Sequence, residues 1–155
     1  MSIVEYIDAE KFQKDINYSM SDLDTAVLEQ AGLAAYYGAK AALAKRQASN
    51  SKLKLQTISA QVYKIVRDAL EESGKKATES TIKAMVDTDK NVVNAKASTI
   101  EAVYYEDLGM TTVDAFRHRR DMLKELGMAS RAERFSDPTV MAKEGEKNVL
   151  NLIKK

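Results

Sequence analysis

The 155-residue sequence has no cysteine and no tryptophan, a single proline and six glycines. The absence of cysteine excludes disulfide bonds, zinc–thiolate sites and thiol nucleophiles. With so little proline and glycine, turn signals for a sheet are scarce, and the abundant Ala, Lys, Glu, Leu and Arg favour long helices. Aromatic residues make up only 6% of the chain, which leaves little bulky filler for a thick globular core. We therefore expect an all-α protein whose helices bury narrow seams against one another, within one chain and between chains.

The formal net charge is only +1, but the charges are unevenly distributed along the chain. Residues 30–67, hereafter the acid-free run, contain no Asp or Glu, although acids cluster on both sides of this run. The run carries seven basic residues: Lys40, Lys45, Arg46, Lys52, Lys54, Lys64 and Arg67. Such local positive charge in a nearly neutral chain predicts an anionic partner or an acidic partner surface.

Hydrophobic periodicity predicts one very long helix after a short N-terminal one. Asp8 can cap the short helix over residues 9–16, and Ser19 with Asp22 resembles the capping pair of the long helix. Apolar positions then recur at alternating steps of four and three residues, the signature of a coiled coil. This seam comprises Leu23, Val27, Gln30, Ala34, Tyr37, Ala41, Ala44, Ala48, Ser51, Leu55, Ile58, Val62, Ile65 and Ala69. Asn50 and Ser51 leave open whether residues 20–72 form one unbroken helix.

A second long helix is predicted after a connection over residues 72–78. Gly74 is placed to end the first long helix, and Thr78 to cap a short helix. The next helix is expected to begin at a cap formed by Asp87 or Thr88 and to run to about residue 134.

This second long helix has two apolar sides. One side consists of Val93, Ala97, Ile100, Tyr104, Leu108, Thr111, Ala115, Met122 and Leu126, and the other of Val103, Met110, Val113, Phe116 and Leu123. Two sides predict two neighbours, the hairpin partner and another subunit. The pattern thus favours a helical hairpin that assembles into a homo-oligomer. Residues 1–134 form the predicted helical domain, and residues 135–155, interrupted by Pro138, a tail with a short amphipathic helix.

No set of residues in the sequence predicts catalysis. His118, the one histidine, lies among arginines, which favour a neutral imidazole at a surface or interface. Residues 87–98 begin like a calcium loop, but Val92 stands where the loop needs glycine. Residues 32–40 lack the spacing of a phosphate loop, so their two glycines are expected to thin the helix for packing. We therefore expect a protein that is not an enzyme and has no catalytic residues, metal or cofactor.

Basic residues point instead to nucleic acid. Backbone phosphates along a flexible strand are natural counterions for the acid-free run, because no acids lie within it. Neighbouring acids can pair with some members of a second basic stripe, with Arg119 just off it, which lines one face of the last helix: Arg117, Arg120, Lys124, Arg131 and Arg134. Tyr36 and Tyr63 could stack on bases, whereas Tyr37 lies on the seam and is expected in the core. The predicted DNA-binding residues are Lys40, Lys45, Arg46, Lys52, Lys54, Lys64, Arg67, Arg117, Arg120 and Lys124.

Over residues 8–134 the chain resembles the UvsY-type recombination mediators of T-even phages and their relatives. The resemblance rests on the order and spacing of KDINYSMSDL, LAAYYGAK, VYKIVRDAL, TDKNVVNAKASTIEA and VDAFRHRRDMLKELGMASRAE. It implies a ring-like homo-oligomer that binds single-stranded DNA and helps a phage strand-exchange recombinase displace single-strand-binding protein. It also implies DNA contacts by Lys64 and Arg67, although the arginine stands one position away from the family pattern. The expected location is the cytoplasm of an infected or lysogenic bacterial host, without membrane association.

Two other interpretations fit the same residues. A structural coiled-coil oligomer, such as a virion scaffold or chaperone, would show the same seam without binding DNA. An adaptor would instead dock its basic helix onto an acidic protein tail.

Overall fold

A computed structural model describes residues 3–74 and 78–136 of the chain, which are helical apart from short connections and include no strand. The all-α prediction is confirmed. The elements are α1 (Ala9–Ile16), a 3₁₀ turn (Met20–Asp22), α2 (Leu23–Glu72), α3 (Glu79–Thr88) and α4 (Lys90–Ser136). The amphipathic helix predicted after Pro138 lies outside the described residues.

Helices α2 and α4 form a long antiparallel hairpin. At 1.5 Å per residue, the 50 residues of α2 extend about 75 Å. Near the open end of the hairpin the Gln30 amide donates to the Phe116 carbonyl at 2.8 Å, and nearer the connection the Thr99 hydroxyl donates to the Ser51 carbonyl at 3.2 Å. Helix α2 continues through Asn50 and Ser51 without a break, which answers the question that the sequence left open. None of the helices in the described part of the chain is both long and apolar enough to cross a membrane.

Side-chain caps begin the two short helices as predicted. Asp8 accepts a hydrogen bond from the backbone N–H of Lys11 at 3.0 Å, and Thr78 accepts one from Thr81 at 3.3 Å. Gly74 follows the end of α2 with a φ of 66°, a conformation that glycine adopts without strain. These interactions satisfy backbone groups that a helix end leaves unpaired.

Two of the predicted caps differ in the structure. Ser19 accepts from the N–H of Ser21 and therefore begins the 3₁₀ turn, while Asp22 makes no side-chain cap at the start of α2. The cap of α4 is Asp89, whose carboxylate accepts from the N–H groups of Asn91 at 2.8 Å and Val92 at 3.3 Å. The prediction of Asp87 or Thr88 is wrong because α3 continues through Thr88, and Asp89 alone separates it from α4.

The buried face of α2 matches the predicted seam best in its central part. Tyr37, Ala44 and Ala48 are buried there, whereas Val27 and Ile65 near the two ends are exposed. A straight helix repeats every 3.6 residues, so a seam spaced at 3.5 rotates by about 20° per heptad away from a fixed neighbour. Nearer the ends, Gln30 and Val62 of the seam are also buried, so the prediction is confirmed for these five residues and wrong for the two exposed ones.

Helices α2 and α4 approach each other closely at Gly109. A Cβ added at this glycine would lie 3.0 Å from the Cα and 3.1 Å from the Cβ of Ala41. At Gly32 and Gly38 an added Cβ would meet nothing within 4 Å, so the expectation that these two thin the helix for packing is wrong. Gly109 has that role instead.

The two apolar sides predicted for α4 differ in their surroundings. Phe116 and Leu123 of the second side are buried, together with residues outside both predicted sides such as Val92, Ala102 and Thr112. By contrast, the first side is largely uncovered, with Ile100 72% and Tyr104 61% exposed. We call its exposed members, Val93, Ile100, Tyr104 and Met122, the outer apolar stripe of α4.

Candidate nucleic-acid interface

An aromatic cluster between α2 and α4 holds α1 against the hairpin. Tyr37 stacks on Phe116 with ring centroids 4.8 Å apart, and Phe12 of α1 meets both rings edge-on. The Tyr37 hydroxyl donates to Asp15 at 2.9 Å, and burial together with this hydrogen bond raises the pKa of Tyr37. Its predicted place in the core is confirmed, so this ring is not accessible to bases.

Beside this cluster lies a buried cation, Arg119, which is only 5% exposed. Its guanidinium donates to the carbonyl oxygens of Ile16 and Ala26, each at 3.2 Å, and to the side-chain oxygen of Gln30. It also lies 5.3 Å from the centre of the Tyr18 ring. No carboxylate in the described part of the chain pairs with it. Arg119 thus joins the segment after α1 to both long helices, a role that the sequence interpretation missed.

Four of the ten predicted DNA-binding residues form ion pairs within the chain. The pairs are Lys52 with Glu106 at 3.5 Å, Arg67 with Glu71 at 2.8 Å, Arg117 with Asp114 at 2.6 Å, and Arg120 with Asp121 at 2.8 Å. For the acid-free run we expected no compensating acids. That expectation is wrong for Lys52, which pairs with a carboxylate of α4. It is also wrong for Arg67, which pairs with a carboxylate of α2 one helical turn after the end of the run. The Glu71 carboxylate beside Arg67 also raises the pKa of that guanidinium.

Lys40 lies in different surroundings from the other basic residues of α2. Its ammonium is 5.4 Å from the centre of the Tyr36 ring, and that of Lys11 is 4.6 Å from the same ring. Tyr36 is 42% exposed, so a base could reach it. However, the depression around this ring is also lined by three carboxylates, those of Glu5, Asp8 and Glu10. These acids disfavour the approach of a phosphate.

Tyr63, the other tyrosine that we expected to stack on a base, makes contacts within the fold. Its hydroxyl donates to Glu79 at 2.9 Å, which raises the pKa of Tyr63 and connects α2 to α3. The same residue packs against a small core at the connected end of the hairpin, built from Val62, Ile82, Val86 and Val92.

Five predicted residues make no ion pair with any described residue: Lys45, Arg46, Lys54, Lys64 and Lys124. The first four are exposed on α2. Arg46 and Lys64 are 18 residues apart, which is five helical turns, so they point in one direction about 27 Å apart. Lys45 and Lys54 lie roughly a quarter-turn to either side of that line. We call these four residues the outer basic face of α2.

Exposed side chains between the four cations of the outer basic face offer hydrogen-bonding groups and apolar surface. Asn50 and Gln61 are exposed, and Leu53 between the cations is 62% exposed. The acid-free run contributes no carboxylate to this surface, and the next acid of α2 is Asp68, one helical turn after Lys64. Within the described residues no three His, Cys, Asp or Glu side chains come together as a metal site. The chemistry available here is multivalent binding of a polyanion.

Comparison of the chain with protein-family models, curated proteins and solved structures finds no match. The fold itself defines the class: a long antiparallel α-hairpin with a short helix packed against it. Its distinguishing surfaces are the outer basic face of α2 and the outer apolar stripe of α4.

Proposed function

We propose that the protein is a single-stranded-DNA-binding recombination mediator that helps load a phage strand-exchange recombinase onto DNA coated by single-strand-binding protein. The observation that carries the proposal is the outer basic face of α2, whose four exposed cations have no carboxylate partner among the described residues. Each phosphate that such a cation neutralises adds affinity through counterion release. The resemblance to UvsY-type mediators supports the particular role in recombination.

The proposal includes assembly into a homo-oligomer with several copies of the outer basic face. A single face with four unpaired cations can bind a strand only weakly. Linking several such faces makes each later contact intramolecular, so the whole assembly binds far more tightly than one subunit. The outer apolar stripe of α4 supports this part of the proposal, because its exposed large side chains suit a contact with another subunit.

A salt titration tests the DNA-binding step. Fluorescence anisotropy of a labelled oligonucleotide should show affinity that falls steeply with salt concentration. The variant Arg46→Ala/Lys64→Ala should bind more weakly and reduce the slope of log K against log salt by about 1.4, since a single strand contributes about 0.7 per phosphate. The control Lys83→Ala/Lys90→Ala removes two lysines outside the acid-free run and should leave the slope nearly unchanged. Wild-type protein that does not bind at low ionic strength would contradict the proposal.

The outer apolar stripe also favours a second candidate, a structural coiled-coil oligomer without a DNA-binding role. That protein would assemble equally well with and without oligonucleotide. A strand-exchange assay on DNA coated by single-strand-binding protein separates the two candidates. A mediator shortens the lag before exchange, and Arg46→Ala/Lys64→Ala abolishes this effect, whereas a structural component leaves the lag unchanged.

A further inference from the structure

A small groove lies between α2 and α4, next to the outer basic face. Its volume is about 280 Å³. Three asparagines, Asn50 of α2 with Asn91 and Asn94 of α4, supply amide groups to its lining. Lys54 lies in the same lining and also belongs to the outer basic face. We call this feature the asparagine groove.

Two interactions hold the walls of the asparagine groove in place. The Thr99 hydroxyl of α4 donates to the Ser51 carbonyl of α2, next to Asn50. The Gln47 side chain pairs in both directions with the backbone of Val4, at 2.9 and 3.1 Å. This second interaction holds the N-terminal segment on α2 and brings Ile3 into the lining of the groove.

The polar groups of the groove are available to a ligand. The side-chain amides of the three asparagines are exposed and make no hydrogen bond to a described residue. Each amide offers a donor and an acceptor side by side, the arrangement with which asparagine binds the edge of a base. Ile3 and Ile58 add apolar contacts for the face of a ring. The lining contains no carboxylate, unlike the depression around Tyr36.

We propose that the asparagine groove binds a single unstacked nucleobase of a DNA strand whose phosphates follow the outer basic face of α2. The inference rests on the proposed function, because it assumes that single-stranded DNA is bound there. Its volume is below the roughly 300–1,000 Å³ of sites for drug-sized ligands, which suits one base. Lys54 then contacts the phosphate next to the bound base. Proteins that recognise single strands stack on unstacked bases and, where they read sequence, hydrogen-bond the edges of those bases.

The test compares two oligonucleotides with equal numbers of phosphates, an oligothymidylate and an abasic strand of the same length. Wild-type protein should bind the abasic strand roughly tenfold more weakly, a difference of about 1.4 kcal/mol. The variant Asn91→Ala/Asn94→Ala should lose this preference and bind both strands as wild type binds the abasic one. The control Gln13→Ala/Gln56→Ala removes two exposed amides outside the groove and should keep the preference.

The outcomes separate this inference from the function on which it rests. If wild-type protein binds both strands equally and in a salt-dependent manner, the groove does not bind bases, while the outer basic face stands. If the glutamine control loses the preference for oligothymidylate as fully as the asparagine variant, the asparagine groove is not the site that binds bases. If neither strand binds at low ionic strength, both proposals are wrong.

Discussion

At the scale of single residues, the buried Arg119 is the least expected feature of the chain. Its guanidinium donates to two backbone carbonyls and the Gln30 side chain at a largely buried site. Five charged or titratable residues occur between 117 and 121, and composition does not distinguish Arg119 among them. The spacing of Thr112, Phe116, Arg119 and Leu123, by steps of four, three and four, was the available signal, because such steps mark one helix face.

Removing this side chain should therefore destabilise the fold. Arg119→Ala should lower the free energy of unfolding by about 2–4 kcal/mol, since it leaves several buried acceptors without a donor. Arg119→Lys should recover little, because one ammonium cannot reproduce the planar set of guanidinium donors. Urea denaturation measures both effects.

Arg117 provides the matched control for this prediction. It lies two residues away on α4, and its ion pair with Asp114 is exposed. Arg117→Ala should therefore change the free energy of unfolding by less than about 0.5 kcal/mol. Equal losses for Arg117→Ala and Arg119→Ala would show that the buried network contributes nothing particular to stability.

At the scale of elements, α2 and α4 approach each other closely at Gly109. Gly109→Ala would place a methyl group 3.0 Å from the Cα of Ala41, so backbone must move. Overpacking of this kind costs about 1–3 kcal/mol, more than the roughly 1 kcal/mol that alanine gains over glycine in a helix. We therefore expect net destabilisation, measured by thermal or urea denaturation.

Gly127 in the same helix is the control for that prediction. An added Cβ there meets nothing within 4 Å. Gly127→Ala should therefore stabilise the protein by about 0.5–1 kcal/mol through helix propensity alone. If the two substitutions change stability by the same amount, the close contact between the helices does not constrain their packing.

At the scale of the whole molecule, the prediction of a homo-oligomer rests on the outer apolar stripe of α4. Ile100 and Tyr104 lie at its centre, and both side chains are mostly exposed in the single chain. We expect Ile100→Glu/Tyr104→Glu to shift the mass in solution to that of the 17.2 kDa chain, because it places charges in the proposed subunit contact. Size-exclusion chromatography with light scattering gives the mass, and circular dichroism should show unchanged helix content.

A matched variant tests whether added charge anywhere on the surface changes the oligomer mass. Met20 and Met85 are exposed apolar residues outside the stripe. Met20→Glu/Met85→Glu should leave the mass of the wild-type oligomer unaltered. A wild-type protein that remains monomeric at all concentrations would count against the subunit contact and against the avidity that the proposed function requires.

Local patterns in the sequence determined where several helices begin and end and which residues at the middle of α2 are buried. Asp8, Thr78 and Gly74 act at helix ends as predicted, because capping and left-handed turns depend on groups a few residues apart. The scarcity of proline and glycine and the recurring apolar spacing predicted long helices, and α2 and α4 are such helices. The alternating steps also located the buried Tyr37, Ala44 and Ala48 at the centre of the hairpin.

Only the tertiary structure decided what lies across the hairpin from each residue. The pairing of Lys52 with Glu106 joins residues 54 positions apart, and the asparagine groove combines amides from both long helices. The rotation of α4 buries Arg119 and leaves Ile100 exposed, although polarity alone suggests the reverse. Such juxtapositions depend on the relative rotation and spacing of two helices, to which packing at Gly109 and the aromatic cluster contributes. Local periodicity indicates which face of a helix is buried, but it does not say which residue of the other helix lies opposite.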